Sequence, residues 1–133
     1  MAKTLIISME TSVNEISING VEYVRKDAVK NSVPAVNTNG LKYVIVRSRD
    51  AGVFAGYLKS REGESVVLTN ARRLWYWSGA ASLSQLSQEG VTDPSNCRFP
   101  CEVPEHEVLG VCEILYCTEK ARECIKKVAI WKR

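Results

Sequence analysis

Lys42-Tyr43-Val44-Ile45-Val46-Arg47 places four apolar residues in succession between two cations. In an extended chain successive side chains point to opposite faces, so this run buries both faces and reads as an interior strand. Asp50-Ala51-Gly52 then turns the chain into a second strand, Val53 to Lys59, interrupted by Gly56. Arg61-Glu62-Gly63-Glu64 turns it again before the β-branched stretch Ser65 to Leu68. The result is an antiparallel meander. Ala71 to Trp77 continues it after a bulge at Asn70, with Arg73, Trp75 and Trp77 on one face and Arg72, Leu74 and Tyr76 on the other.

Two helices are punctuated by their caps. Ser82 with Gln85 three residues on is a capping-box pattern, and Gly90 supplies a left-handed stop, giving a helix over residues 83–89. The second covers residues 119–128: Ala121, Cys124, Ile125 and Val128 recur at helical spacing, with Glu119 near its positive end and Lys126 and Lys127 near its negative end. Between them, Val91 to Pro104 with three prolines reads as an irregular connection, and Glu107 to Cys117 as one strand bent at Gly110. The fold class is therefore α+β: mainly an antiparallel meander, with two short helices and an N-terminal β-hairpin.

That hairpin lies at Glu15-Ile16-Ser17-Ile18, Asn19-Gly20, Val21-Glu22-Tyr23-Val24, where Asn-Gly tolerates the positive φ of a type I′ turn. A lone hairpin is marginal in water, so its apolar face needs the main domain or another subunit, and residues 14–24 become the expected homo-oligomer contact. Lys26 to Asn31 has the length of a helical turn, and Ser32 to Gly40 reads as a linker ending in a turn. The division is residues 1–36, hairpin appendage and linker, and residues 41–133, an α+β core domain.

The 133 residues are enough for one core domain, and 45% apolar with 25% charged residues is ordinary globular composition, which excludes a wholly disordered chain. A net charge of +3 falls short of a dedicated nucleic-acid binder. The apolar stretch Leu5 to Met9 is cut by Glu10 before it reaches signal-peptide length, and no run is long enough to span a membrane. The five cysteines lie between Cys97 and Cys124, an odd number without an export signal, so reduced thiols in a cytoplasm are expected.

The densest chemistry runs from Asn70 to Ser82. Arg72 and Arg73 suit phosphate, Trp75 and Trp77 offer stacking faces, and the small residues around Gly79 and Ser82 let backbone amides at a helix start approach an anion. Core packing is the competing account of the tryptophans. Arg47, Arg49, Arg61 and Arg98 add positive charge. Cys97, Cys101, His106 and Cys112 are spaced C-x3-C-x4-H-x5-C, longer in two gaps than a zinc knuckle and containing two prolines, so buried thiols are expected, with no metal and no cofactor. His106 is the single histidine, and no phosphate loop, dinucleotide fingerprint, nucleophile elbow or metalloprotease helix occurs. Binding is favoured over catalysis.

Tyr43 to Arg47, Ala51 to Gly56, Val66 to Trp77 and Gly79 to Leu86 together resemble a family of small tailed-bacteriophage proteins of unassigned function, a likeness extending over residues 42–133 and including Ile130-Trp131. The hairpin is similar to an appendage of various small phage proteins. This resemblance implies a phage origin and expression in a host bacterial cytoplasm. By analogy with phage proteins of this size, the expected role is sequestration of a nucleotide-derived host immune signal, of the cyclic-nucleotide or ADP-ribose type. Arg72, Arg73, Trp75, Trp77, Gly79, Ser82 and Arg47 are the expected ligand contacts. The alternatives are a single-stranded nucleic-acid binder using the same residues, and a phage interaction or structural protein with Trp75 and Trp77 at a protein interface.

Overall fold

The computed structural model describes residues 15–18, 21–24 and 34–133. The chain divides into two units, Met1–Val33 and Pro34–Arg133. In the first, β1 (Glu15–Ile18) and β2 (Val21–Val24) pair antiparallel, with Ile18 opposite Val21 and Ile16 opposite Tyr23. The expected turn at Asn19-Gly20 and helical turn at Lys26 to Asn31 lie outside the described residues.

The second unit is an α+β fold. Its strands are β3 (Tyr43–Ser48), β4 (Gly52–Glu62), β5 (Ser65–Arg73), β6 (Glu102–Val108) and β7 (Val111–Tyr116). They form one antiparallel sheet in the order β6-β5-β4-β3-β7. Residues 34–40, read above as the end of a linker, pair with this unit: the Ala35 amide donates to the Cys117 carbonyl (2.9 Å), and the Tyr43 amide donates to the Ala35 carbonyl (2.8 Å). The Asn37 side chain closes the turn by accepting from the amides of Asn39 and Leu41.

Three sequence readings need correction. β4 runs on to Glu62, so the turn is the two residues Gly63-Glu64 and not Arg61 to Glu64. Glu102 to Pro104 belong to β6 instead of an irregular connection, and Glu107 to Cys117 is two strands parted by Leu109-Gly110. Those two strands occupy opposite edges of the sheet, and a two-residue link between opposite edges forces the sheet to curl until the edges adjoin. Hydrogen bonds fasten the closure: Val111 N–H to the Glu64 carbonyl (2.9 Å), Arg49 N–H to the Gly110 carbonyl (3.0 Å), and Ser48 Oγ to the Leu109 carbonyl (2.7 Å).

The curl gives the sheet two cores. Val44, Val46, Phe54, Val66, Leu68 and Val108 fill its inside. Tyr43, Ile45, Ala55 and Tyr57 face outward into a cluster with Leu86, Ala121 and Ile125 from the helices α1 (Leu83–Glu89) and α2 (Glu119–Lys127). Burial on both sides is why Tyr43 to Val46 are apolar without alternation. Ser82 and Thr118 cap the helices through Gln85 N–H (3.2 Å) and Ala121 N–H (3.1 Å). Thr118 Oγ1 also donates to the Gln88 carbonyl at the end of α1 (2.7 Å), binding the two helices together.

The bulge expected at Asn70 is present, with φ at 51°. Asn70 and Ala71 together oppose Gly56, where the register between β4 and β5 shifts. A Cβ on Gly56 would lie 3.0 Å from Ala71 Cα and 3.1 Å from the Thr69 carbonyl, so glycine permits this close approach. The extra residue reverses the alternation: Val66 and Leu68 face the inner core, then Ala71 does, and Arg72 and Leu74 turn to the helix side. Because the position is left-handed, Asn70→Gly is expected to keep full stability, whereas Asn70→Val should lose about 1–2 kcal/mol in urea unfolding.

Candidate functional site

Beyond β5 the chain stays extended, and three distant stretches align. The amides of Trp75 and Tyr76 donate to the Arg98 carbonyl (3.2 and 3.3 Å), and Arg98 N–H returns a bond to the Tyr76 carbonyl (2.7 Å). Phe99 forms a parallel bridge with Ile130, and Trp131 N–H donates to the Phe99 carbonyl (2.9 Å). This ladder brings Trp75, Arg98 and Trp131 side by side.

They line an open groove of about 650 Å³, together with Tyr76. The Trp75 and Trp131 rings stack, with centroids 5.2 Å apart and planes 9° from parallel. The Arg98 guanidinium lies 5.3 Å from the Trp75 ring, 5.7 Å from Tyr76 and 5.8 Å from Trp131. Trp75 is 55% exposed and Tyr76 50%, so these rings are not core. Among the described residues no carboxylate pairs with Arg98.

The polar wall of the groove includes Ser78, Asn96 and Cys97. Ser78 Oγ (2.9 Å) and Asn96 Nδ2 (2.8 Å) donate to the Asp93 carboxylate. Hydrogen bonds from Asn96, then Ser78 and Ser95, hold that carboxyl below its ordinary range. Burial pushes the Cys97 thiol up, and its Sγ is engaged with Ser78 and the Asp93 carbonyl, so its part is structural.

The residues singled out from the sequence separate into five places. Arg72 is buried and does not reach the groove; its guanidinium donates to the carbonyls of Pro100 (2.8 Å), Ile125 (2.8 Å) and Phe99 (3.0 Å). Loss of hydration lowers its pKa, yet three carbonyl dipoles retain the charge. Arg73, Trp75 and Trp77 line a hollow of about 160 Å³ together with Leu74, and Trp77 also packs against the helix-side cluster that contains Leu74. Trp75 lines both cavities. Gly79 has φ at 101°, and a Cβ there would lie 2.5 Å from the amide nitrogens of Thr92 and Asp93, so glycine lets that loop close. Ser82 is spent as the cap of α1. Arg47 is on β3, paired with Glu113 (2.9 Å).

Arg98 and Trp131 complete the groove and were absent from the expected contacts. Arg98 was legible only as loop charge, and Trp131 only as part of a family likeness, because the ladder joining them to Trp75 spans distant parts of the chain. The cysteines also differ from expectation: Cys97 and Cys117 are buried, but Cys101 and Cys112 are exposed. His106 packs edge-on against Phe54 (4.8 Å). No group of three or more metal-ligating side chains occurs among the described residues. Among them, too, no helix is long and apolar enough to cross a membrane.

Fold and groove together define an α+β protein built on a curled five-stranded antiparallel sheet, with an arginine and three aromatic rings around a surface groove. The chain belongs to the family described as "Domain of unknown function (DUF6948)", matched over residues 41–125. No curated protein and no solved structure matches it.

The two arginines have opposite roles in stability. Arg72→Met takes the guanidinium's hydrogen bonds from three carbonyls, of which Phe99 keeps the Trp131 amide and Ile125 the Val128 amide, and is expected to cost about 2–5 kcal/mol. Arg98→Ala, which removes exposed ring contacts, should cost under about 1.5 kcal/mol. Urea unfolding of the two variants beside the parent chain measures both.

Proposed function

We propose that this is a non-enzymatic, phage-encoded binding protein that sequesters a nucleotide-type small molecule in the groove at Trp75, Tyr76, Arg98 and Trp131. The observation that carries the reading is the Arg98 cation, set among three rings with no carboxylate partner among the described residues. A nucleobase stacks on an indole face, and a phosphate accepts charge-assisted hydrogen bonds from a guanidinium, so one nucleotide satisfies both groups. The groove volume of about 650 Å³ lies in the range of small-molecule sites. The origin in a phage and action in a host cytoplasm on an immune signal rest on the resemblance over residues 42–133. Single-stranded nucleic acid is the second reading, favoured by the openness of the groove and the 55% exposure of Trp75.

Thermal unfolding of the full chain against mononucleotides, cyclic di- and trinucleotides, cyclic ADP-ribose isomers and a short single strand tests this. A ligand at about 100 times its Kd adds about 2.7 kcal/mol, roughly 8 to 13 °C for a domain of this size. The expected result is such a shift with a small nucleotide, abolished in Arg98→Ala. A shift with the strand alone, falling steeply with salt, selects the second reading. No shift with any of them overturns both.

Assembly through residues 14–24 is part of the proposal, since a two-stranded hairpin gains stability by adding partners. The full chain is expected to run as an oligomer in light scattering. The cross-strand double variant Ile16→Asp, Tyr23→Asp should reduce its mass to that of one chain. An unchanged mass removes the hairpin from assembly.

A further inference from the structure

Trp75 is shared by two cavities, and each contains an arginine free of carboxylate partners among the described residues. On one side is the groove with Arg98, 5.3 Å from the indole. On the other is the hollow with Arg73, whose guanidinium lies 4.3 Å from the Phe54 ring and gives one bond, to the Ala51 carbonyl (2.6 Å). Arg47, Arg49 and Arg122 hold carboxylates, and Arg72 is filled by three carbonyls, whereas Arg73 and Arg98 each line a cavity with no carboxylate partner among the described residues. One bond to a carbonyl leaves most of the five donors of Arg73 for solvent or for a ligand. The hollow, at about 160 Å³, is well below the size of a whole small-molecule site, so it admits a fragment of a ligand.

We infer that Trp75 divides a two-subsite surface whose ligand carries two phosphate groups separated by a nucleoside. One phosphate meets Arg98 in the groove, the nucleoside lies across the indole, and the second phosphate meets Arg73 in the hollow. A diphosphate does not suit this arrangement, because its phosphorus atoms share one bridging oxygen and cannot lie on either side of an indole. A linear dinucleotide does, and so does one step of a single strand. This inference rests on the nucleotide reading of the groove, and it adds Arg73 as a second, separable anion contact.

The test measures affinity by tryptophan fluorescence for the four 5′-mononucleotides, the four nucleoside 5′-diphosphates, the four 5′-phosphorylated homodinucleotides and a twelve-nucleotide single strand of each base. With the parent chain, a dinucleotide should bind at least about tenfold tighter than its mononucleotide and diphosphate, the scale of one charged hydrogen bond. Arg73→Gln should erase that gain and leave mononucleotide affinity within about twofold, while Arg73→Lys, which keeps the charge, retains most of it. A strand no tighter than the dinucleotide identifies a free small molecule as the source; a much tighter strand identifies a polymer, and the two phosphate contacts hold in both cases. The inference is overturned if the dinucleotide gains nothing over the mononucleotide, or if its gain survives Arg73→Gln. Failure of every nucleotide to bind is a different result, and removes the underlying reading with it.

Discussion

The guanidinium of Arg72 is the fastening on which the site depends. It donates to Phe99 and Pro100 in the loop before β6 and to Ile125 near the end of α2. A buried cation without a carboxylate must be solvated by dipoles, and the carbonyls in the last turn of a helix carry partial negative charge. The Phe99 carbonyl is the junction: it accepts from Arg72 on one side and from the Trp131 amide on the other. Arg98 precedes that carbonyl by one residue, and Trp131 hangs from it. One core side chain thus fixes the two segments that bring the groove together.

Arg72 reaches that position through the bulge opposite Gly56. Had β5 kept strict alternation from Val66 and Leu68, residue 72 would have pointed into the curl and residue 73 toward the helices. The added residue at Asn70 exchanges them. The location of the bulge was legible, since Asn tolerates a left-handed backbone and the chain is β-branched before it and aromatic after it. Which arginine is buried was not, because both faces after the bulge carry an arginine with aromatics. The phase of a strand tells which residues share a face, and tertiary packing decides which face is core.

The curl of the sheet was illegible for a related reason. From Glu107 to Cys117 the apolar residues continue through Leu109-Gly110 with little punctuation, so one bent strand and two strands on opposite edges read alike. The difference lies in pairing: β6 finds β5 and β7 finds β3, both far back in sequence. The helices were easier, because caps are local; Ser82, Gly90 and Thr118 act within a few residues of themselves. The same locality explains the fate of Gly79 and Ser82. A run of small residues before a helix suits an anion and equally suits a close loop and a cap, and here the backbone of Thr92 and Asp93 fills the space beside Gly79.

Arg72 and Arg98 show how differently one side chain behaves in two settings of the same fold. Arg72 has traded water for three carbonyls at hydrogen-bond distance, so a phosphate approaching it would have to break the loop and helix contacts it holds. Arg98 is exposed and has rings on several sides, and an exposed cation–π contact is worth only about 0.5–1 kcal/mol. Rings attract the guanidinium through their faces but accept few directed hydrogen bonds, so its N–H groups remain hydrated. A charge-assisted bond to an anion, worth about 1.5–3 kcal/mol, exceeds each ring contact and need not displace it. The aromatic cluster therefore orients Arg98 without neutralising it, which leaves the charge available at the mouth of the groove.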